Sequence, residues 1–141
     1  MIKIIAVGRI KERYVSQGIA EFTKRLGPLE RLEIVEIKDS NKEDEAEKIL
    51  KAAGDDFLVA LDVSSKQLSS EEFAVFLKKN SDKKISFVIG GPEGLSQKVL
   101  DESDFRLSLS KMTFTHEMCR LFLLEQIYRG HMILSGRNYH K

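Results

Sequence analysis

Apolar positions along the chain switch repeatedly between two periods. Residues 2–8 (IKIIAVG) form a nearly continuous apolar run broken by one lysine, the pattern of a strand covered on both faces. In residues 12–27, Tyr14, Val15, Ile19, Phe22 and Leu26 recur at helical spacing, which predicts a helix stopped by Gly27-Pro28. Leu32–Ile37 alternates as a half-exposed strand, and residues 41–53 read as a charged helix ended by Gly54. Phe57–Val63 is a second buried strand. Ser69-Ser70-Glu71-Glu72 offers a capping box for a helix that turns Phe73, Phe76 and Leu77 to one face. Ile85–Ile89 is a third buried strand, closed by Gly90-Gly91-Pro92-Glu93-Gly94. A short helix over 96–102, a short strand over 105–109, a long helix over about 116–132 and a tail over 133–141 complete the pattern. This strand–helix alternation predicts an α/β fold with a mostly parallel sheet and helices on both faces. No repeat or linker divides it, so a single domain over residues 1–141 is expected.

Composition narrows the class. Of 141 residues, 42% are hydrophobic and 32% charged, which supports a globular core. No apolar run reaches the roughly 20 residues of a membrane span, and the start lacks a signal-peptide core, so a soluble cytoplasmic protein is expected. A single cysteine, Cys119, excludes an internal disulfide framework and reads as a small core residue. The three histidines and scattered acids show no metal-ligand spacing. Net charge is only +1, against a strongly basic nucleic-acid module. Its distribution is uneven. Residues 106–141 hold six Lys/Arg against two Asp/Glu (+4) and all three histidines, whereas residues 1–105 hold 17 against 20 (−3). A basic C-terminal quarter points to an anionic partner there.

Ligands of open parallel sheets bind beyond the strands' carboxyl ends. Three segments occupy such positions: 61–64, Gly90–Gly94 and 109–114. The glycine segment FVIGGPEGLS reads either as a tight strand–helix turn or as a backbone a ligand approaches closely. It is no Walker A loop, and a dinucleotide fingerprint would follow the first strand instead. The segment LSLSKMTFTHEM is apolar and hydroxyl-rich. It suits the wall of a flat aromatic ligand, or else Met112 and Phe114 are core and Thr115 a helix N-cap.

The last helix, MCRLFLLEQIYRGHMIL, is apolar almost all round, so it is buried on more than one side and part of its surface suits a subunit interface. Glu125 and Arg129 form an i,i+4 pair. Arg120, set among apolar neighbours, needs an anionic partner, either Glu117 or a substrate phosphate. The tail Gly136–Lys141 is either a frayed end or, with Tyr139, His140, Arg137 and Lys141, a set suited to an unstacked RNA base and its phosphates. No GxSxG elbow is present.

Taken together and in order, KIIAVGRIKERY, EFTKRLGPL, ALDVSSKQLSSEEFA, FVIGGPEGLS, LSLSKMTF, RLFLLEQIYR and the terminal YHK span the chain. They resemble the RlmH family of SPOUT-class methyltransferases, which methylate N3 of a pseudouridine in large-subunit (23S) rRNA. Thr115 stands where that family usually has proline, and the region between the second and third strands is short. The resemblance implies a C-terminal trefoil knot, a homodimer, action on assembled ribosomes and S-adenosylmethionine as cofactor. It puts the cofactor contacts at Leu61, Gly90, Leu109, Ser110, Lys111, Met112, Thr113 and Phe114. For catalysis it suggests His140 as the base that takes the N3 proton, Tyr139 stacking on or positioning the target base, and Arg120 or Arg137 holding phosphate. The competing expectation is a non-catalytic RNA- or ribosome-binding factor that keeps the fold.

Overall fold

The structure is a computed structural model, which describes residues 1–139. Five parallel strands, β1 (Ile2–Val7), β2 (Leu32–Ile37), β3 (Phe57–Gln67), β4 (Ile85–Ile89) and β5 (Phe105–Ser108), form one sheet in the order β2-β1-β4-β3-β5. Five helices alternate with them: α1 (Arg13–Leu26), α2 (Lys42–Ala53), α3 (Ser70–Lys79), α4 (Gln97–Glu102) and α5 (His116–Leu134). The α/β architecture expected from the apolar pattern is therefore present.

The two sheet faces follow from strand alternation. Ile2, Ile4 and Ala6 of β1 join Val59, Phe87 and Leu107 in a core shared with α1, α3 and α5, whose Leu26, Phe73, Leu77, Leu123, Leu124 and Ile127 are buried. Ile5 and Val7 point the other way, to a second core with Ile49 and Ala53 of α2 and Val99 of α4. The continuous apolar runs of β1 and β4 thus reflect strands covered on both sides. Helix α5 lies against both α1 and α3, the two-sided burial its composition implied.

Local signals set the helix starts. Asn41 caps α2, its Oδ1 accepting from Asp44 N at 2.9 Å, and Glu43, Asp44 and Glu45 fill the first turn beside the positive helix end. Ser69 and Glu72 form the anticipated capping box of α3, with reciprocal bonds of 3.0 and 2.8 Å. Several boundaries differ from the sequence reading, most by a single residue. β3 continues beyond Val63 through the polar residues to Gln67, and its pairing with β5 shifts register between Leu61 and Lys66. β5 ends at Ser108, and α5 runs on to Leu134. Gly27 stays right-handed (φ −45°), so Pro28, which has no N–H to donate, marks the stop after α1.

Candidate functional site

A cavity of about 980 Å³ opens at the carboxyl end of the sheet. Its walls come from Leu61–Val63 of β3, the glycine loop after β4, the loop between β5 and α5, and the first turns of α1 and α5. It lies near the upper end of the roughly 300–1,000 Å³ range of small-molecule sites.

Each wall is held by its own sequence. The glycine loop folds onto itself: Gly94 N donates to Gly91 O at 2.9 Å, and Gly94 has φ +78°. A Cβ on Gly90 would lie 2.7 Å from the Gly94 carbonyl carbon, so a side chain there would force the turn open. Gly90 is thus required by the turn itself. Ser108, only 2% exposed, has its hydroxyl 2.9 Å from Val63 O and 2.8 Å from Ser110 O, which ties β3 to the next loop. Ser110 Oγ accepts from Met112 N at 3.0 Å, and Thr115 caps α5 by accepting from Met118 N at 3.2 Å.

The wall chemistry has one sign. Glu12, Asp62, Glu93 and Glu117 line the cavity, and no lysine or arginine does so among the described residues. Glu117 Oε1 accepts from the backbone N–H groups of Lys11 and Glu12, both at 3.1 Å, and so fastens the β1–α1 loop to the start of α5. Beside it the His116 ring faces Gly8, where a Cβ would meet Nε2 at 3.5 Å. Burial pushes the Cys119 thiol up from its ordinary value, which favours its protonated form. Near the glycine loop, burial likewise pushes the Glu45 carboxyl up, opposed by a bond from Ser40 N at 2.7 Å and reinforced by Asp39 and Glu93.

Seven of the eight expected cofactor contacts line this one cavity: Leu61, Gly90, Leu109, Ser110, Met112, Thr113 and Phe114. Lys111 is exposed and is not a lining residue. Arg120 is corrected on its expected partner. Its partner is not Glu117 but Glu36 of β2, with Nη1 2.6 Å from Oε2, and Nη2 donates to Gly8 O at 3.1 Å. At 3% exposure it faces the sheet and lines no part of the cavity. Tyr139 packs edge-on against Tyr128 at 4.9 Å, with the Arg129 guanidinium 4.9 Å over its ring. It too is absent from the cavity wall. His140 lies outside the described residues.

Three of the six cations of the C-terminal quarter are spent internally, because Arg106 pairs with Asp101, Arg120 with Glu36 and Arg129 with Glu125. Sequence reasoning overlooked Glu12, Tyr14, His116 and Glu117 as wall residues. Tyr14 carried the only signal, as the outermost member of an apolar stripe that leaves it 65% exposed.

Comparison with known proteins agrees in extent with this geometry. The profile of the family described as predicted SPOUT methyltransferase matches residues 1–140. A protein of Carboxydothermus hydrogenoformans named ribosomal RNA large subunit methyltransferase H is 46% identical over 157 aligned positions, covering 99% of both chains. Its namesake in Caldicellulosiruptor bescii is 47% identical over 154 positions, covering the whole of both. These alignments exceed the 141 residues present, so the relatives carry residues this chain lacks. The solved structure of a probable methylase family protein from Haemophilus influenzae has the same fold (TM-score 0.63, 14% identity, 99% of this chain and 70% of that one). A parallel sheet with its cavity at the strand ends, a full-length profile match and relatives near half identity together place this chain in the SPOUT methyltransferase family.

Proposed function

We propose that the chain transfers a methyl group from S-adenosylmethionine to N3 of a pseudouridine in 23S rRNA, within the assembled ribosome. The observation that carries the choice of donor is the cavity wall, with four carboxylates and no lysine or arginine among the described residues. Such a wall repels a phosphate-bearing nucleotide and favours an uncharged nucleoside attached to a cationic sulfonium and amine. The apolar residues Leu61, Leu109, Met112 and Phe114 suit the flat adenine, and the backbone of residues 109–114 suits its polar edge. When bound, the cofactor supplies an already activated methyl group on sulfur.

The chain's own work is then alignment and proton removal. Fixing the acceptor nitrogen in line with the methyl supplies roughly 7–11 kcal/mol of barrier reduction. N3 must lose its proton as it takes the methyl. His140 is the proposed acceptor of that proton, worth about 10²–10⁴-fold, with Tyr139 positioning the base and Arg137 holding phosphate. Tyr139 rests on Tyr128, and His116 at the cavity lies twelve residues earlier on α5, about 18 Å along the axis. A tail docked in this way is remote from its own cavity. A homodimer with antiparallel α5 helices would bring each tail to the partner's cavity. The apolar surface of α5 and the second cavity of about 480 Å³ beside Leu121 and Phe122 favour such a partner. The trefoil knot belongs to the same reading, supported by the Ser108 link between the segment after Leu61 and the loop after β5.

The direct test incubates the protein with methyl-labelled S-adenosylmethionine and ribosomes from cells lacking its gene, then digests the rRNA. Label in 3-methylpseudouridine is the expected result. Cofactor binding with label in another nucleoside would move the target. Neither binding nor label would favour a non-catalytic ribosome-binding factor.

A further inference from the structure

The β1–α1 loop carries a charge pattern that the cavity does not explain. Arg9, Lys11 and Arg13 are all exposed and stand within five residues, opposed only by Glu12, so three cations and one anion leave +2 over residues 9–13. None of the three forms an ion pair with another described residue. Tyr14, next in line, is 65% exposed and touches no other aromatic ring among the described residues. Yet Glu12 and Tyr14 line the cavity, so the backbone that carries the cations runs along its rim. The loop is also fixed in place, by the two backbone bonds to Glu117 and by Arg120 holding Gly8 O.

We infer that this loop is the RNA-gripping edge of the site: Arg9, Lys11 and Arg13 hold phosphates on either side of the target nucleotide, and Tyr14 stacks on its unpaired base. The inference rests on the reading that the substrate is RNA. Four carboxylates inside the cavity keep polyanion out, so phosphates are held at the rim while only the uncharged base enters. Cations beside an exposed aromatic ring are what an unstacked nucleotide requires. A loop already pinned to α5 loses little freedom when RNA arrives.

The test compares methyl transfer to unmodified ribosomes by wild type, a rim variant (Arg9→Gln/Lys11→Gln/Arg13→Gln), Tyr14→Ala, Tyr14→Phe and a control variant (Lys78→Gln/Lys79→Gln/Lys84→Gln). The control removes three exposed lysines at the opposite end of the strands. Calorimetric affinity for S-adenosylmethionine reports an intact cavity in each. The rim variant is expected to raise KM at least about tenfold and to flatten the dependence of log KM on log salt by about two units, the slope of three single-strand phosphate contacts. Tyr14→Ala is expected to raise KM at least about fivefold, with Tyr14→Phe close to wild type because stacking needs the ring alone. The control should match wild type. Equal losses in the control and rim variants, or a rim variant with unchanged KM and salt slope, overturn the inference while leaving the methyltransferase reading intact. A changed oligomeric state in Tyr14→Ala with unaltered KM would make Tyr14 a subunit contact and also overturn it. A wild type that labels no rRNA overturns both.

Discussion

Arg120 shows how far a residue's partner can lie from its neighbours in sequence. Glu117 is three positions away on the same helix, but it is engaged by the backbone of Lys11 and Glu12, and the guanidinium reaches Glu36 across 84 residues. Burial makes that pair structural. Arg120→Ala is expected to cost about 2–3 kcal/mol in urea unfolding, below the usual range for fully buried pairs because Glu36 is 44% exposed and regains water. Affinity for RNA per folded molecule should not move; a loss of RNA affinity at unchanged stability would place Arg120 in the binding set. Glu45 works in the opposite sense. Its carboxyl is pushed up by burial first, then by Asp39 and Glu93, while the bond from Ser40 N opposes the shift. The folded state therefore holds the proton more tightly than the unfolded one. Stability is fullest below the ordinary value of 4.5 and falls as pH rises through the raised one. Glu45→Gln should thus raise Tm at pH 7.5 and leave it nearly unchanged at pH 4. A lower Tm at pH 7.5 would mean that the charge is needed, for instance by an unseen cation.

At the scale of elements, Thr115 joins a loop to a helix, where the resemblance noted in the sequence leads one to expect proline. Its φ of −61° and ψ of 152° already match proline, and among the described residues no backbone hydrogen bond uses its N–H. Its hydroxyl supplies the α5 N-cap instead. Thr115→Pro should therefore exchange a cap worth about 1 kcal/mol for a similar gain in unfolded-state rigidity, leaving unfolding free energy within about 1 kcal/mol of wild type. Thr115→Ala, which loses the cap without that gain, should cost about 1 kcal/mol. A large loss of cofactor affinity in Thr115→Pro would show that the hydroxyl serves the ligand. The same scale explains what the sequence made legible. β2 and β4 have the bounds expected of them because their alternation or apolar run stops where burial stops. β3 overran its expected end because Ser64–Gln67 are polar and mostly exposed, so no hydrophobic period marks them as strand. The three cavity segments could be found from strand ends alone. The walls from α1 and α5 could not, because Glu12 and Glu117 are brought together by tertiary packing and each looks like an ordinary surface acid in sequence.

For the whole molecule, the tail and the cavity stand apart along one helix. Tyr139 sits on Tyr128 and Arg129 near the carboxyl end of α5, and His116 opens the other end beside the cavity. If one chain's tail serves its own cavity, damage to tail and cavity on separate chains cannot be repaired by mixing. If the tail serves a partner, it can. The experiment combines a tail variant (Tyr139→Ala/His140→Ala) with a cavity variant (Thr113→Trp), in which an indole on an exposed wall residue fills the cofactor space without touching the core. Each alone should be inactive on ribosomes. After unfolding and refolding together, half of the dimers pair unlike chains, and each of those holds one sound site out of two, so about one quarter of wild-type activity should return. The tail variant should still bind S-adenosylmethionine, which separates loss of chemistry from loss of fold. Recovery near one quarter would make the dimer the catalytic unit and explain why an apolar helix runs between the two ends of the site. No recovery, with mixed dimers verified by mass, would place tail and cavity in the same chain and require the tail to leave Tyr128 and cross about 18 Å during turnover.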